Sequence, residues 1–277
     1  MYPFLSNIWN TFKEFNKDVD KNSDIYELYR EKINYNPEEK LMHKKICVKI
    51  IRNIWSFYKN EYQRLCGSEC CRYLNNWIYY VSKKHHLRRF IISLVLEVSN
   101  DKYFGPNPPI SCIDYKYEEN YKEPEKIIKL LNFQDNISII KNTLLNENIS
   151  MNCACQNYIY ECINIYNELD RKYCSKPKEK SGVNKSVCEI LDTFKTSYTN
   201  DLYNKEGIKE KTPSISSYVN SNNIVGCQEH IKKATVLSNK DENTGSSISR
   251  SVPTAVVTMI GVSSFLSLIY KVNITCT

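Results

Sequence analysis

Residues 66–81 read CGSECCRYLNNWIYYV. From Cys70 onward the side chains Cys70, Tyr73, Leu74, Trp77, Ile78 and Val81 recur at three- and four-residue intervals. That is the period of one buried face of an α-helix, not the alternation of a strand. Gly67 and Ser68 interrupt the preceding pattern, so this helix is expected to start near Glu69.

The same period continues on both sides. Upstream, short helices are expected at 4–16 and 24–33. A longer one is expected at 38–65, opened by Asn36-Pro37-Glu38-Glu39, which supplies a cap, a first-turn proline and acids at the positive dipole end. Its stripe is Cys47, Ile50, Ile51, Ile54, Phe57, Tyr58 and Leu65. Downstream, the apolar run 90–98 is too short to span a bilayer, is interrupted by Glu97, and reads as a buried core helix. Phe104-Gly105-Pro106-Asn107-Pro108-Pro109 ends helical structure. Pro124-Glu125 opens a helix striped by Ile127, Leu130, Leu131, Ile137, Ile140 and Leu144. Another covers 153–174, with Ile159, Cys162, Ile163, Tyr166, Leu169 and Tyr173 on one side. Ser186 with Glu189 forms a capping box for the next, carrying Val187, Ile190, Leu191, Phe194 and Tyr198. No stretch alternates with period two. The expected fold class is all-α: a helical bundle over 1–204, a polar flexible stalk over 205–251, a transmembrane helix over 252–270 and a tail over 271–277.

Composition agrees with helices. The 277 residues include only 7 Gly and 9 Pro. The glycines are dispersed, so neither a dinucleotide fingerprint nor a phosphate loop can be built. Apolar residues make up 42%, enough for a core, and the 25% charged share argues against global disorder. The net charge of +7 is too small to name nucleic acid as a partner.

The segment 252–270, VPTAVVTMIGVSSFLSLIY, has 19 residues without a charge, bounded by Arg250 and Lys271. As a helix it would measure roughly 28 Å, close to a hydrocarbon core of about 30 Å. It is expected to sit in membrane lipid. Residues 1–12 lack the basic and long apolar regions of a signal peptide. A late anchor without a signal is the pattern of tail anchoring. The cations before the anchor, Lys232, Lys233, Lys240 and Arg250, also favour a cytoplasmic head.

The cysteines argue the other way. Twelve is well above a cytosolic norm. Disulfides are the expectation for Cys47, Cys66, Cys70, Cys71, Cys112, Cys153, Cys155, Cys162, Cys174, Cys188 and Cys227, with metal ligation and buried thiols as alternatives. Eleven precede the apolar segment, so at least one is left out of internal pairing. Cys66, Cys70 and Cys71 with His85 and His86 offer ligand types for zinc, but neither C-x3-C-C nor Cys153-Ala154-Cys155 has a standard zinc spacing. No cofactor is expected.

No hydrolase elbow, metalloprotease helix, Walker loop or kinase set occurs. A Cys–His pair would need a lowered thiol pKa and an orienting third group, which nothing local supplies, so no catalysis is expected. The densest basic run is Lys83-Lys84-His85-His86-Leu87-Arg88-Arg89. It reads either as a solvated helix face or as a binding surface for an anion through Lys83, Lys84, Arg88 and Arg89. A sulfated glycan or membrane surface fits better than nucleic acid, because nearby Trp77 and Tyr80 belong to or adjoin the apolar face. Most tyrosines, Tyr58, Tyr73 and Tyr166 among them, are expected in the core.

Cys66 to Tyr80, in particular Leu74, Asn75, Trp77 and Tyr79, resembles the cysteine–LNYWLY block of the Plasmodium interspersed repeat (PIR) family, closest to its Vir-type branch from vivax-like malaria parasites. Tyr160-Glu161-Cys162, the stretch from Leu169 to Cys174, and Val187-Cys188 resemble further parts of it, as do the polar stalk and late apolar segment. The resemblance covers most of the chain. It implies a variant multigene protein with a cysteine-bonded helical ectodomain and one membrane helix. Such a protein is exported to the infected red cell without a standard signal peptide, in antigenic variation, adhesion and immune evasion. Its partners would be a host receptor, a sulfated glycan or an antibody. One departure is the short end VNITCT after Lys271, where relatives continue further. The alternative is a tail-anchored helical scaffold inside the parasite.

Overall fold

The computed structural model describes residues 2–33, 41–104, 117–175, 183–216 and 227. Among these, helices and turns account for all regular structure and no strand occurs, as the periodicity requires. None of the described helices is long and apolar enough to cross a membrane. The expected membrane segment 252–270 and the helix start at 36–39 lie outside the described residues.

The described residues divide into two compact units: those within Leu5–Pro124, and those from Glu125 onward together with the segment up to Phe4. The first holds α1 (Ser6–Phe15), α2 (Asp24–Lys32), α3 (Leu41–Tyr58), the single turn α4 (Gln63–Cys66), α5 (Cys70–Lys84), α6 (Arg89–Phe104) and the single turn α7 (Tyr117–Asn120). Helix α5 is its centre. Every residue from Tyr73 to Ser82 is buried, and the helix packs on α1 and α3. Around Phe15 gather Trp77 and Tyr62, with ring centroids 5.8 and 5.2 Å away. Each such side chain removed from water contributes roughly 1.5–3 kcal/mol.

A buried helix must satisfy its polar side chains. Asn53, fully buried on α3, donates Nδ2–H to the Phe15 carbonyl at 3.0 Å. Its Oδ1 accepts from the Tyr62 hydroxyl and the Arg52 Nε–H, both at 2.8 Å. Asn76 on α5 accepts from the Tyr117 hydroxyl at 2.7 Å. Asn53 thus ties α3 to the end of α1, and Asn76 ties α5 to α7.

Helix α3 ends earlier than the stripe suggests. Asn60 takes φ 57°, a left-handed conformation that asparagine tolerates. The Glu61 N–H reaches the Ser56 carbonyl and the Asn60 N–H reaches that of Phe57, both at 3.0 Å, which is a Schellman stop. The chain then restarts as α4. The end of α5 repeats the device: His86 has φ 54°, its N–H bonds to Lys83 O, and the Leu87 N–H bonds to Ser82 O. Over residues 89–101 helix α6 buries the stripe Ile92, Val95 and Ser99, while Phe90 is 67% exposed. The run 90–98 is thus one-sided rather than wholly buried.

The other unit holds α8 (Pro124–Asp135), α9 (Ile137–Leu145), α10 (Ile149–Tyr173) and α11 (Val183–Tyr198). A single helix over 124–144 is interrupted at Asn136, whose side chain is buried and folds back onto the Asn132 carbonyl. Asn148 caps α10 by accepting from the Met151 N–H. Lys126 pairs with Glu168 and Lys129 with Glu161, so α8 and α10 run antiparallel. Helix α11 begins at Val183, upstream of the capping box, leaving Ser186 and Glu189 inside the helix. Phe133, Tyr158, Phe194 and Tyr198 fill the interior. Ordered packing runs on past 204. Ile208 is fully buried, Gly207 permits the turn at φ 76°, and the Tyr198 hydroxyl donates to Pro213 O.

Candidate functional site

The cysteines sort by environment. Cys66 pairs with Cys70 across the break between α4 and α5, Cys174 with Cys188 across the α10–α11 hairpin, and Cys153 with Cys227 over a separation of 74 residues. Cys71 is also disulfide-bonded. Cys112 lies outside the described residues. Three of the expected disulfide cysteines are corrected: Cys47, Cys155 and Cys162 remain buried thiols. The reason is position. Cys47 belongs to the buried stripe of α3 and Cys162 to that of α10, where the neighbours are aliphatic and aromatic side chains. The signal was present in the sequence, since both fall on the helical stripes.

These thiols are poor nucleophiles. Burial pushes Cys162 up to about 12, with Glu161 adding to the rise, and pushes Cys155 higher still. A reactive cysteine needs the opposite shift. The Cys155 thiol is aimed at the Ile140 carbonyl at 3.7 Å. Tyr158, bonded through its hydroxyl to Lys129 O, and Tyr2, hydrogen-bonded to Glu161, are likewise driven up by burial first. Lys129 lies over the rings of Tyr2 and Tyr158 at 5.5 and 5.9 Å while paired to Glu161. This cluster of ionisable groups ties the first residues onto α10.

A cleft of about 400 Å³ opens beside the Cys153–Cys227 disulfide, lined by Asn152, Gln156, Tyr160, Glu210 and Lys211 among others. Its polar groups are mostly committed to structure: Asn152 bonds the Leu144 and Asn146 carbonyls, and the Lys211 ammonium bonds Leu144 O. Among the described residues no group of three or more metal-ligating side chains gathers.

The basic run forms a corner where α3 begins, α5 ends and α6 begins. His43 donates its Nε2–H to the His85 carbonyl at 3.0 Å, satisfying an acceptor at the end of α5. Lys83 donates to the Tyr79 hydroxyl and lies 5.5 Å from that ring. Lys84 is half-buried, and burial lowers its pKa. Arg88 is exposed, and Arg89 pairs with Glu119 of α7. Burial, and then repulsion from Lys84, press His85 down to about 4. Part of the run therefore serves the helix end, where cations oppose the negative dipole pole. The exposed remainder keeps a positive surface.

The residues that carry the family resemblance lie elsewhere. Leu74, Asn75, Trp77 and Tyr79 are all buried in α5, at 8% exposure or less. The motif is a packing signature. Of the core tyrosines, Tyr73 and Tyr166 are buried while Tyr58 is half-buried. The amides Asn53 and Asn76 carry no periodicity signal because polar residues interrupt a stripe.

No family model, no curated protein and no solved structure matches the chain.

Proposed function

We propose that the chain is a membrane-tethered helical recognition module of the PIR type. In this reading it is a variant antigen exported to the infected red cell that acts in adhesion or immune evasion and performs no chemistry. The single observation that supports it most is the distribution of the cysteines. Disulfides clamp helix ends across the described head, as a fold meant for an oxidising space would have them. The poor nucleophilicity of the remaining thiols in α10 supports a non-catalytic role.

The test uses protein from infected cells. Non-reducing mass spectrometry after alkylation should find Cys66, Cys70, Cys153, Cys174, Cys188 and Cys227 protected. Externally added protease should cleave the head once the red-cell membrane is opened. Alkylated cysteines at those six positions, with a head shielded even after red-cell lysis, would favour a tail-anchored scaffold facing the parasite cytosol.

A further inference from the structure

We propose that the corner formed by the start of α3, the end of α5 and the start of α6 docks on an anionic lipid surface, with Leu41, Met42 and Phe90 entering the acyl–headgroup boundary and Lys83, Arg88 and Arg89 facing the phosphates.

Three observations carry this. First, these three apolar side chains are exposed at 70%, 42% and 67%, among the largest exposed apolar groups of the described residues. The His43–His85 bond and the packing of α3 on α6 put the segments that bear them at one end of the unit. Second, cations crowd that end. Lys44, Lys45 and Lys49 lie in the first half of α3, Lys83 and Lys84 in the last turn of α5, and Arg88 and Arg89 at the start of α6, and α5 and the first half of α6 carry no acid from 70 to 96. The acids that face these cations come from other elements: Glu119 on Arg89 and Asp18 on Lys49. Third, the corner is stiff. The Schellman turn at His86 and the buried Leu87 fix where Phe90 starts α6.

Exposed large apolar residues rimmed by cations are what an interfacial surface needs, since each part is incomplete alone. A sulfated glycan would use the cations and leave Phe90 and Leu41 in water. A lipid surface uses both. Each cation near an anionic leaflet is worth about five-fold in partitioning.

The proposal goes beyond the tethered-module reading and holds with or without a spanning anchor. Its test is Phe90→Trp in the full chain with vesicles whose acyl chains are brominated. The native Trp9, Trp55 and Trp77 are buried, and 252–270 contains no tryptophan, so the introduced indole reports the corner alone. In phosphatidylserine-containing vesicles we expect quenching beyond that of the unsubstituted chain. It should fall at least five-fold in pure phosphatidylcholine, and similarly on adding Arg88→Glu. Vesicle flotation without extra quenching would leave the anchor intact and overturn the docking. Equal quenching in neutral lipid would overturn the charge argument, and retention on heparin beads without quenching would point to a glycan instead.

Discussion

Replacing Asn53 by Ala tests the polar core most directly. Asn53 makes three hydrogen bonds from a fully buried position. A net intramolecular bond is worth about 1 kcal/mol, and a buried group left without its partner costs about 1–3 kcal/mol. The Phe15 carbonyl keeps its bond from Arg52 Nη2 at 2.9 Å, so its loss is partial. The Tyr62 hydroxyl loses its acceptor at Asn53, and the truncation leaves a small void. Together these give a destabilisation of about 3 kcal/mol. The assay is urea unfolding followed by tryptophan fluorescence, which reports this unit alone because Trp9, Trp55 and Trp77 all lie in α1, α3 and α5. At an m-value of about 1–2 kcal/mol/M the midpoint should fall by roughly 2 M. Tyr62→Phe alone should cost about 1 kcal/mol, and the double variant should cost clearly less than the sum. A shift under about 1 kcal/mol for Asn53→Ala, or strict additivity with Tyr62→Phe, would refute the network.

The same fluorescence should report acid sensitivity. His85 has its folded pKa pressed to about 4 from 6.5, so between those values the unfolded chain binds the extra proton. Stability is then complete above pH 6.5 and declines as pH falls towards 4. Because His85 is only half-buried, screening trims the loss to about 1–2 kcal/mol. His85→Gln should flatten that slope, and an unchanged slope would contradict it. Removing the Cys153–Cys227 bond as a double Ser variant should destabilise its unit by about 4 kcal/mol, against about 3 for Cys174–Cys188, as loop-closure entropy scales. Circular dichroism melts would show whether the longer loop matters more. Native-state alkylation should spare Cys155 and Cys162 until denaturant is added, and rapid labelling in the native state would contradict their burial.

The helices were legible wherever apolar side chains formed an unbroken stripe, as on α3, α5 and α10. The stops at Asn60 and Asn136 were not, because each depends on one residue's backbone or side-chain bond and leaves the stripe intact on both sides. The start of α11 was misplaced by a capping pattern that sits inside the helix. Ile208 looked like part of a polar tract because its burial comes from tertiary contact and not from periodicity. Cysteine pairing needs three-dimensional proximity, yet Cys47 and Cys162 showed their thiol role by sharing faces with isoleucines. The basic run was visible as charge. Its apolar companions Leu41 and Phe90 were not, since a stripe alone does not tell which member stays in water.

The aromatic latch at the start of the chain bears on how the protein can be dissected. Tyr2 lies tilted against Tyr158 with centroids 4.6 Å apart, and Phe4 meets the same ring edge-on at 5.7 Å. A fragment cut at Glu125 would thus lack a piece of its own interior supplied from the far end of the polypeptide. Restoring it calls for a peptide of the opening residues added in trans, or a permuted chain in which that peptide is fused ahead of α8. Any affinity tag meant to be inert belongs somewhere other than the amino end.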